Sequence, residues 1–140
     1  MRGKTVPIQD ERVVIDTYAW IEYFRGSASG AKARRIIDGE YELLTPAVVI
    51  AELSDKYRRE GMIDWDARRR FVLLKSAIIS LDETVADNAG ELKQQLRKEH
   101  KDAGIVDAII LAHSISTNAR ILTGDSHLKS LKNSIDISCE

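Results

Sequence analysis

Val13-Val14-Ile15-Asp16-Thr17-Tyr18-Ala19-Trp20 is the stretch on which the fold turns. Three consecutive β-branched residues with no polar interruption suit a strand buried on both faces, as in a parallel sheet covered by helices. The run ends on a carboxylate, a group that resists leaving water unless something offsets its charge. From Thr17 the spacing changes. Trp20, Ile21 and Phe24 recur at helical intervals, which predicts a helix over residues 17–25.

The same alternation continues outward. Helices are expected over residues 31–38, from Thr45-Pro46 to Glu60, and over 67–79, 84–101 and 105–118. Gly26 to Gly30 reads as a break, Thr45 as an N-cap with Pro46 at the first helical position, and Gly61 as a stop. Asp64 and Asp82 are further candidate caps, and Gly90 is a weak point inside its helix. Strands are expected at residues 13–15, 40–44 and 120–123, a helical turn at 125–131, and an edge strand at 135–138. Strands alternating with helices predict a three-layer α/β/α fold around a central, mostly parallel sheet of four or five strands. Residues 1–12 are polar, contain Pro7 and lack periodicity; they read as an N-terminal extension to a single domain spanning 13–140.

Composition narrows the function. A chain of 140 residues suits one core, and 44% hydrophobic residues suffice to build it; only 6% are aromatic, so that core is mainly aliphatic. With 21 basic and 22 acidic residues the net charge is −1, which is not the overall footprint of a nucleic-acid binder. Cys139 stands alone and excludes an internal disulfide. No apolar run approaches the ~20 residues of a membrane span, and no signal-peptide pattern follows the N-terminus, so a cytoplasmic location is expected.

Three further acids share the context of Asp16. Glu52 follows Pro46-Ala47-Val48-Val49-Ile50-Ala51 and shares a helix face with Val48 and Val49; Asp107 opens Ala108-Ile109-Ile110-Leu111-Ala112; Asp125 follows Ile121-Leu122-Thr123-Gly124. Each has an ordinary reading alone: Asp16 as a helix cap, Glu52 as a snorkelling edge residue, Asp107 as a helix-start acid, Asp125 as a turn residue. Together they place acids at strand ends or helix starts against a core. At least Asp16 and Asp125 fall at the strand edge where open α/β sheets bind ligands. If the fold gathers the four, a hard divalent cation is the natural offset to their repulsion.

In order and spacing, the segments around these acids resemble a PIN domain, most closely the VapC-type ribonuclease toxins. That resemblance implies a Mg²⁺- or Mn²⁺-dependent endoribonuclease. Asp16, Glu52, Asp107 and Asp125 would hold metal, and Thr123 would lie beside the last acid. Hydrolysis would leave a 5′-phosphate and a 3′-hydroxyl. It also implies a small antitoxin partner and a homodimer. The extension before the first strand, and Leu128 where an aromatic is common, depart from the family pattern.

Other features say less. Residues 56–75 carry seven basic and three acidic side chains, and Lys93, Arg97, Lys98 and Lys101 form a second basic group, giving modest support for an RNA partner. His100, His113 and His127 lack zinc-ligand spacing and read as structural, with His127 alone near the Asp125 segment. Trp65 lies in a polar stretch that suggests an exposed partner surface. An aspartyl-nucleophile phosphatase would need a second acid two residues after Asp16, where Tyr18 stands. A non-catalytic RNA- or protein-binding module remains the alternative, although none of the four acids is missing.

Overall fold

A computed structural model describes residues 12–139; apart from Arg12, the extension expected over residues 1–12 lies outside them. The described elements are β1 (Arg12–Ile15), α1 (Thr17–Arg25), α2 (Ala28–Ile37), β2 (Glu42–Pro46), α3 (Ala47–Arg59), α4 (Trp65–Lys75), β3 (Ala77–Ile79), α5 (Glu83–Leu96), α6 (Ile105–Thr117), β4 (Arg120–Thr123) and β5 (Ser134–Asp136). The five strands form one sheet in the order β3-β2-β1-β4-β5, and every pairing is parallel.

The position of β1 explains the architecture. Val13, Val14 and Ile15 are fully buried, as befits a central strand covered on both faces. The chain builds outward from β1 through β2 to β3, then returns to β1's other side for β4 and β5. Between β1 and β4 the winding reverses, so a crevice opens at the carboxyl ends of these two strands. Ile15 pairs with Leu122, and the Asp16 N–H donates to the Leu122 carbonyl at 3.1 Å. That register sets Asp16 beside Thr123.

One core surrounds the sheet and includes Trp20, Leu53, Ile110 and Leu128. A second lies between α5 and α6, where Ala89, Ala108 and Ala112 let the two helices approach closely. This explains why α6 is apolar nearly all round: it contacts the sheet on one side and α5 on another.

Several sequence expectations need correction. Residues 67–79 do not form one helix. Helix α4 ends at Lys75, Ser76 is extended, and Ala77–Ile79 pair with β2 as an edge strand. A short apolar run carries no period of its own, and here the open edge of β2 decided the outcome. Thr45 does not cap α3; it stays in β2, where its hydroxyl accepts from Trp20 Nε1 and meets Ser76 Oγ at 2.7 Å. The break before α2 is only Gly26-Ser27, because Ser27 caps a helix that already includes Gly30. Helix α5 stops at Leu96, so residues 97–104 are free to shape the site. Trp65 is buried against Tyr57 at a ring separation of 5.7 Å rather than exposed.

His113 occupies a costly place. It is buried on α6, its Nε2 has no hydrogen-bond partner, and burial depresses its pKa against the opposing charge of Asp82. Replacing an orphaned buried polar atom by carbon of similar volume is expected to stabilise. His113→Leu should therefore raise stability by about 1 kcal/mol at neutral pH. A depressed imidazole pKa means the unfolded chain binds the proton more readily, so wild-type stability is lost as pH falls below 6.5. The advantage of the variant should thus grow between pH 7 and 5 in thermal melts.

Candidate active site

Each acid is brought to the β1/β4 crevice by a different element. Asp16 ends β1 and is 6% exposed. Its Oδ1 accepts from the Thr17 N–H at 2.8 Å and its Oδ2 from the Thr123 hydroxyl at 2.7 Å. The Thr123 oxygen in turn accepts from the Asp125 N–H at 3.0 Å, so one fully buried hydroxyl joins the ends of both strands. Glu52 reaches the same place from α3, where its Oε1 accepts from the Thr17 hydroxyl. Asp107, in the first turn of α6, accepts from the Gly104 N–H at 3.0 Å, which fixes its rotamer at the helix start.

His127 closes the arrangement. Its backbone N–H donates to Asp125 Oδ1 at 2.8 Å, and its ring Nδ1 lies 3.0 Å from Asp107 Oδ2. On the far side, ring Nε2 meets Asp102 Oδ1 at 2.9 Å. A continuous run of contacts therefore links Glu52, Thr17, Asp16, Thr123, Asp125, His127 and Asp107. The four acids converge, Thr123 stands among them, and the sequence reasoning missed Thr17 and Asp102. Thr17 had a signal, since it follows Asp16 directly; Asp102 had none, because it approaches only through the turn after α5.

The electrostatics follow from this crowding. Burial pushes the Asp16 carboxyl up to about 7, opposed by its two hydrogen bonds and reinforced by the charges of Asp125 and Glu52. For His127, burial favours the neutral ring, but the Asp102 hydrogen bond and the charges of Asp107, Asp125 and Asp102 outweigh it and raise the pKa. Asp102 is lowered by the same contact with His127. Side chains of Asp107 and Asp125 are 18% and 36% exposed, so both face solvent from which an ion can enter. One donor atom each from Asp107, Asp125 and His127 lies within 4.8 Å of the others. Oxygen-rich donors at this spacing, beside a buried acid that resists ionising alone, suit a divalent cation.

The expected basic surface is largely neutralised. Along α3 and α4, Lys56 pairs with Glu60, Arg59 with Asp55, Arg68 with Asp64, and Arg69 and Arg70 with Asp66. Lys98 and Lys101 are exposed on the turn that carries Asp102, closer in sequence to the acids. A concavity of about 630 Å³ lies elsewhere: Arg120 and Asn133 line it, at the amino ends of β4 and β5. Its charged lining is basic, from Arg120 and Lys132, and the acids lie at the other, carboxyl edge of the strands.

The family model of the PIN domain matches residues 13–133, from the first residue of the buried run to the turn before β5. The chain belongs to the PIN domain family. No curated protein matches it. Its fold is shared with solved structures at low identity. A toxin–antitoxin complex from Klebsiella pneumoniae aligns with a TM-score of 0.72 and 17% identity, over 90% of this chain and 98% of the other. VapBC2 from Rickettsia felis, bound to a DNA fragment from its promoter, aligns at 0.69 and 19%, over 89% and 96%. Mycobacterium tuberculosis VapC20, a Sarcin-Ricin loop cleaving toxin, aligns at 0.67 and 19%, over 84% and 93%. At these identities the likeness is one of fold, a PIN-type three-layer α/β/α arrangement with an all-parallel five-stranded sheet.

In this PIN domain, Thr123 is the most economical point at which to disturb the site without removing an acid. Thr123→Val takes a hydrogen bond from Asp16 and leaves the Asp125 N–H without its acceptor. Groups that orient metal ligands typically contribute 10–100-fold to affinity. If Asp16 and Asp125 hold a divalent cation, a loss of about tenfold or more in Mn²⁺ affinity is expected by calorimetric titration, with the acids all still present.

Proposed function

We propose that this chain is a Mg²⁺- or Mn²⁺-dependent endoribonuclease that hydrolyses RNA phosphodiesters as the toxin of a toxin–antitoxin pair. The observation that carries this reading is the meeting of Asp16, Glu52, Asp107 and Asp125 through one run of hydrogen bonds at the sheet's switch point. Family membership and the toxins among its structural neighbours support it.

Asp16, Glu52, Asp107 and Asp125 would hold the ion. A bound divalent ion lowers the pKa of water and offsets charge building on a phosphate. Asp16 is held by Thr17 and Thr123, so it keeps its place before the ion arrives. Glu52, whose Oε1 accepts from the Thr17 hydroxyl, would take the proton of the attacking water. The water oxygen bonds to phosphorus as the P–O3′ bond breaks. The new ends are a 5′-phosphate and a 3′-hydroxyl, the latter protonated from solvent. Lys98 and Lys101, exposed on the turn that carries Asp102, would take the RNA backbone.

The antitoxin partner rests on the neighbours' assemblies, and exposed Ile63, Leu73 and Leu74 offer apolar surface for a protein contact. A homodimer and a cytoplasmic location complete the reading. Purified chain incubated with single-stranded and structured RNA in Mg²⁺, Mn²⁺ or EDTA tests it. Cleavage with either ion, absence of cleavage in EDTA, and 5′-phosphate ends are expected. Equal cleavage in EDTA would contradict it, and tight RNA binding with no turnover would point to a binding module instead.

A further inference from the structure

Beside the acids the site contains a nitrogen donor. His127 is tied through its backbone N–H to Asp125 Oδ1 at 2.8 Å, so the turn that places Asp125 also places the ring. Ring Nδ1 then stands 3.0 Å from Asp107 Oδ2 and 3.4 Å from Asp125 Oδ1. Ligands about 2.1 Å from an octahedral ion lie about 3 Å from their neighbours, so these separations match adjacent ligands on one cation. On the outer side, Nε2 meets Asp102 Oδ1 at 2.9 Å.

Asp102 explains the ring's orientation. Its side chain is 85% exposed, and a contact so open to water adds little to stability. What it does is hold the outer nitrogen, so that the inner nitrogen can turn a lone pair to an ion seated between it, Asp107 and Asp125. A carboxylate on the outer nitrogen is the usual support of a metal-binding imidazole.

The geometry points to His127 as a nitrogen ligand of the metal centre, with Asp102 as the positioning residue for its ring. This rests on the metal-dependent reading above and adds a preference among ions. Carboxylates alone suit Mg²⁺, a hard cation that takes oxygen, whereas an imidazole favours first-row transition ions. The mixed set is therefore selective for Mn²⁺ over Mg²⁺.

Two measurements without RNA test this on the full chain. Pulsed electron paramagnetic resonance of bound Mn²⁺ reads ¹⁴N modulation from a directly coordinated imidazole. Wild type should show it and His127→Gln should not. Binding titrations with His127→Gln and Asp102→Asn should show Mn²⁺ affinity falling about 10–100-fold while Mg²⁺ affinity changes much less. Because Asp102 is exposed, its variant keeps the test intact should His127→Gln fold poorly. Bound Mn²⁺ without nitrogen modulation, equal losses for both ions, or no Mn²⁺ binding at all would overturn the assignment. Nitrogen modulation without RNA cleavage would uphold the ligand and sink the nuclease reading. Mn²⁺-dependent cleavage without modulation would do the reverse.

Discussion

Asp16→Asn is expected to abolish RNA cleavage while making the metal-free protein more stable above neutral pH. The loss of activity follows from removing the most enclosed acid of the site. If that acid contributes several kcal/mol through the ion it holds, the rate falls on the order of 10³-fold or more. The gain in stability follows from its pKa. In the folded chain the carboxyl is raised from 3.8 to about 7 by burial and by its acidic neighbours. A raised pKa means the native state holds the proton more tightly than the unfolded chain. This favours folding below about pH 4 and is lost as pH rises through 7. Above that the ionised carboxylate opposes folding by an amount on the order of 4 kcal/mol.

Asparagine removes this opposition and keeps the local bonds. Its carbonyl can accept from the Thr17 N–H, and its amide can donate to Thr123 Oγ1 once that hydroxyl turns. At pH 8 without metal the variant should melt about 10 °C higher than wild type, and the gap should close toward pH 4–5. Saturating Mn²⁺ should then stabilise wild type strongly and the variant little, because only an ion-binding native state gains. Wild-type cleavage by Asp16→Asn, or a variant less stable at pH 8 than at pH 5 relative to wild type, would contradict this account of the site.

Gly30→Ala should cost more stability than any surface change. Ordinary helix propensity argues the other way, since alanine inside a helix is favoured over glycine by about 1 kcal/mol. Here the crossing of α1 and α2 decides. A Cβ at Gly30 would lie 2.0 Å from the Glu22 carbonyl oxygen and 2.8 Å from its carbon. That carbonyl cannot move aside freely, because it accepts the Gly26 N–H at 3.1 Å in the turn that ends α1. Gly26 holds a φ of +68° there, so the turn itself resists change. The two helices must part, and a loss of about 3 kcal/mol or more in denaturant unfolding is expected. A neutral or stabilising result would mean that propensity outweighs the close approach.

Much of this was legible in the sequence, for identifiable reasons. The β1 run and the apolar stretch of α6 declared themselves because each is buried on nearly every side, so their residues had to be apolar throughout. The four acids stood out because they interrupt such segments. The ordinary readings of two of them also proved true: Asp16 does accept the first N–H of α1, and Asp107 does reach back to the Gly104 N–H. Helix starts and a shared charged crevice do not compete here, since the caps are what hold the carboxylates in place. What stayed hidden depended on contacts distant in sequence. Ala77–Ile79 became a strand because β2 offered an open edge, and Thr45 stayed in its strand because Trp20 needed an acceptor. Asp102 meets His127 only because α5 ends early and the following turn, held by Arg97 Nε on the Ala103 carbonyl at 2.9 Å, folds back over the site.

Anomalous diffraction from crystals grown with Mn²⁺ tests the central claim most directly. A peak among Asp16, Glu52, Asp107 and Asp125 is predicted. Well-ordered acids with no peak among them, or carboxylates turned away from one another, would contradict it.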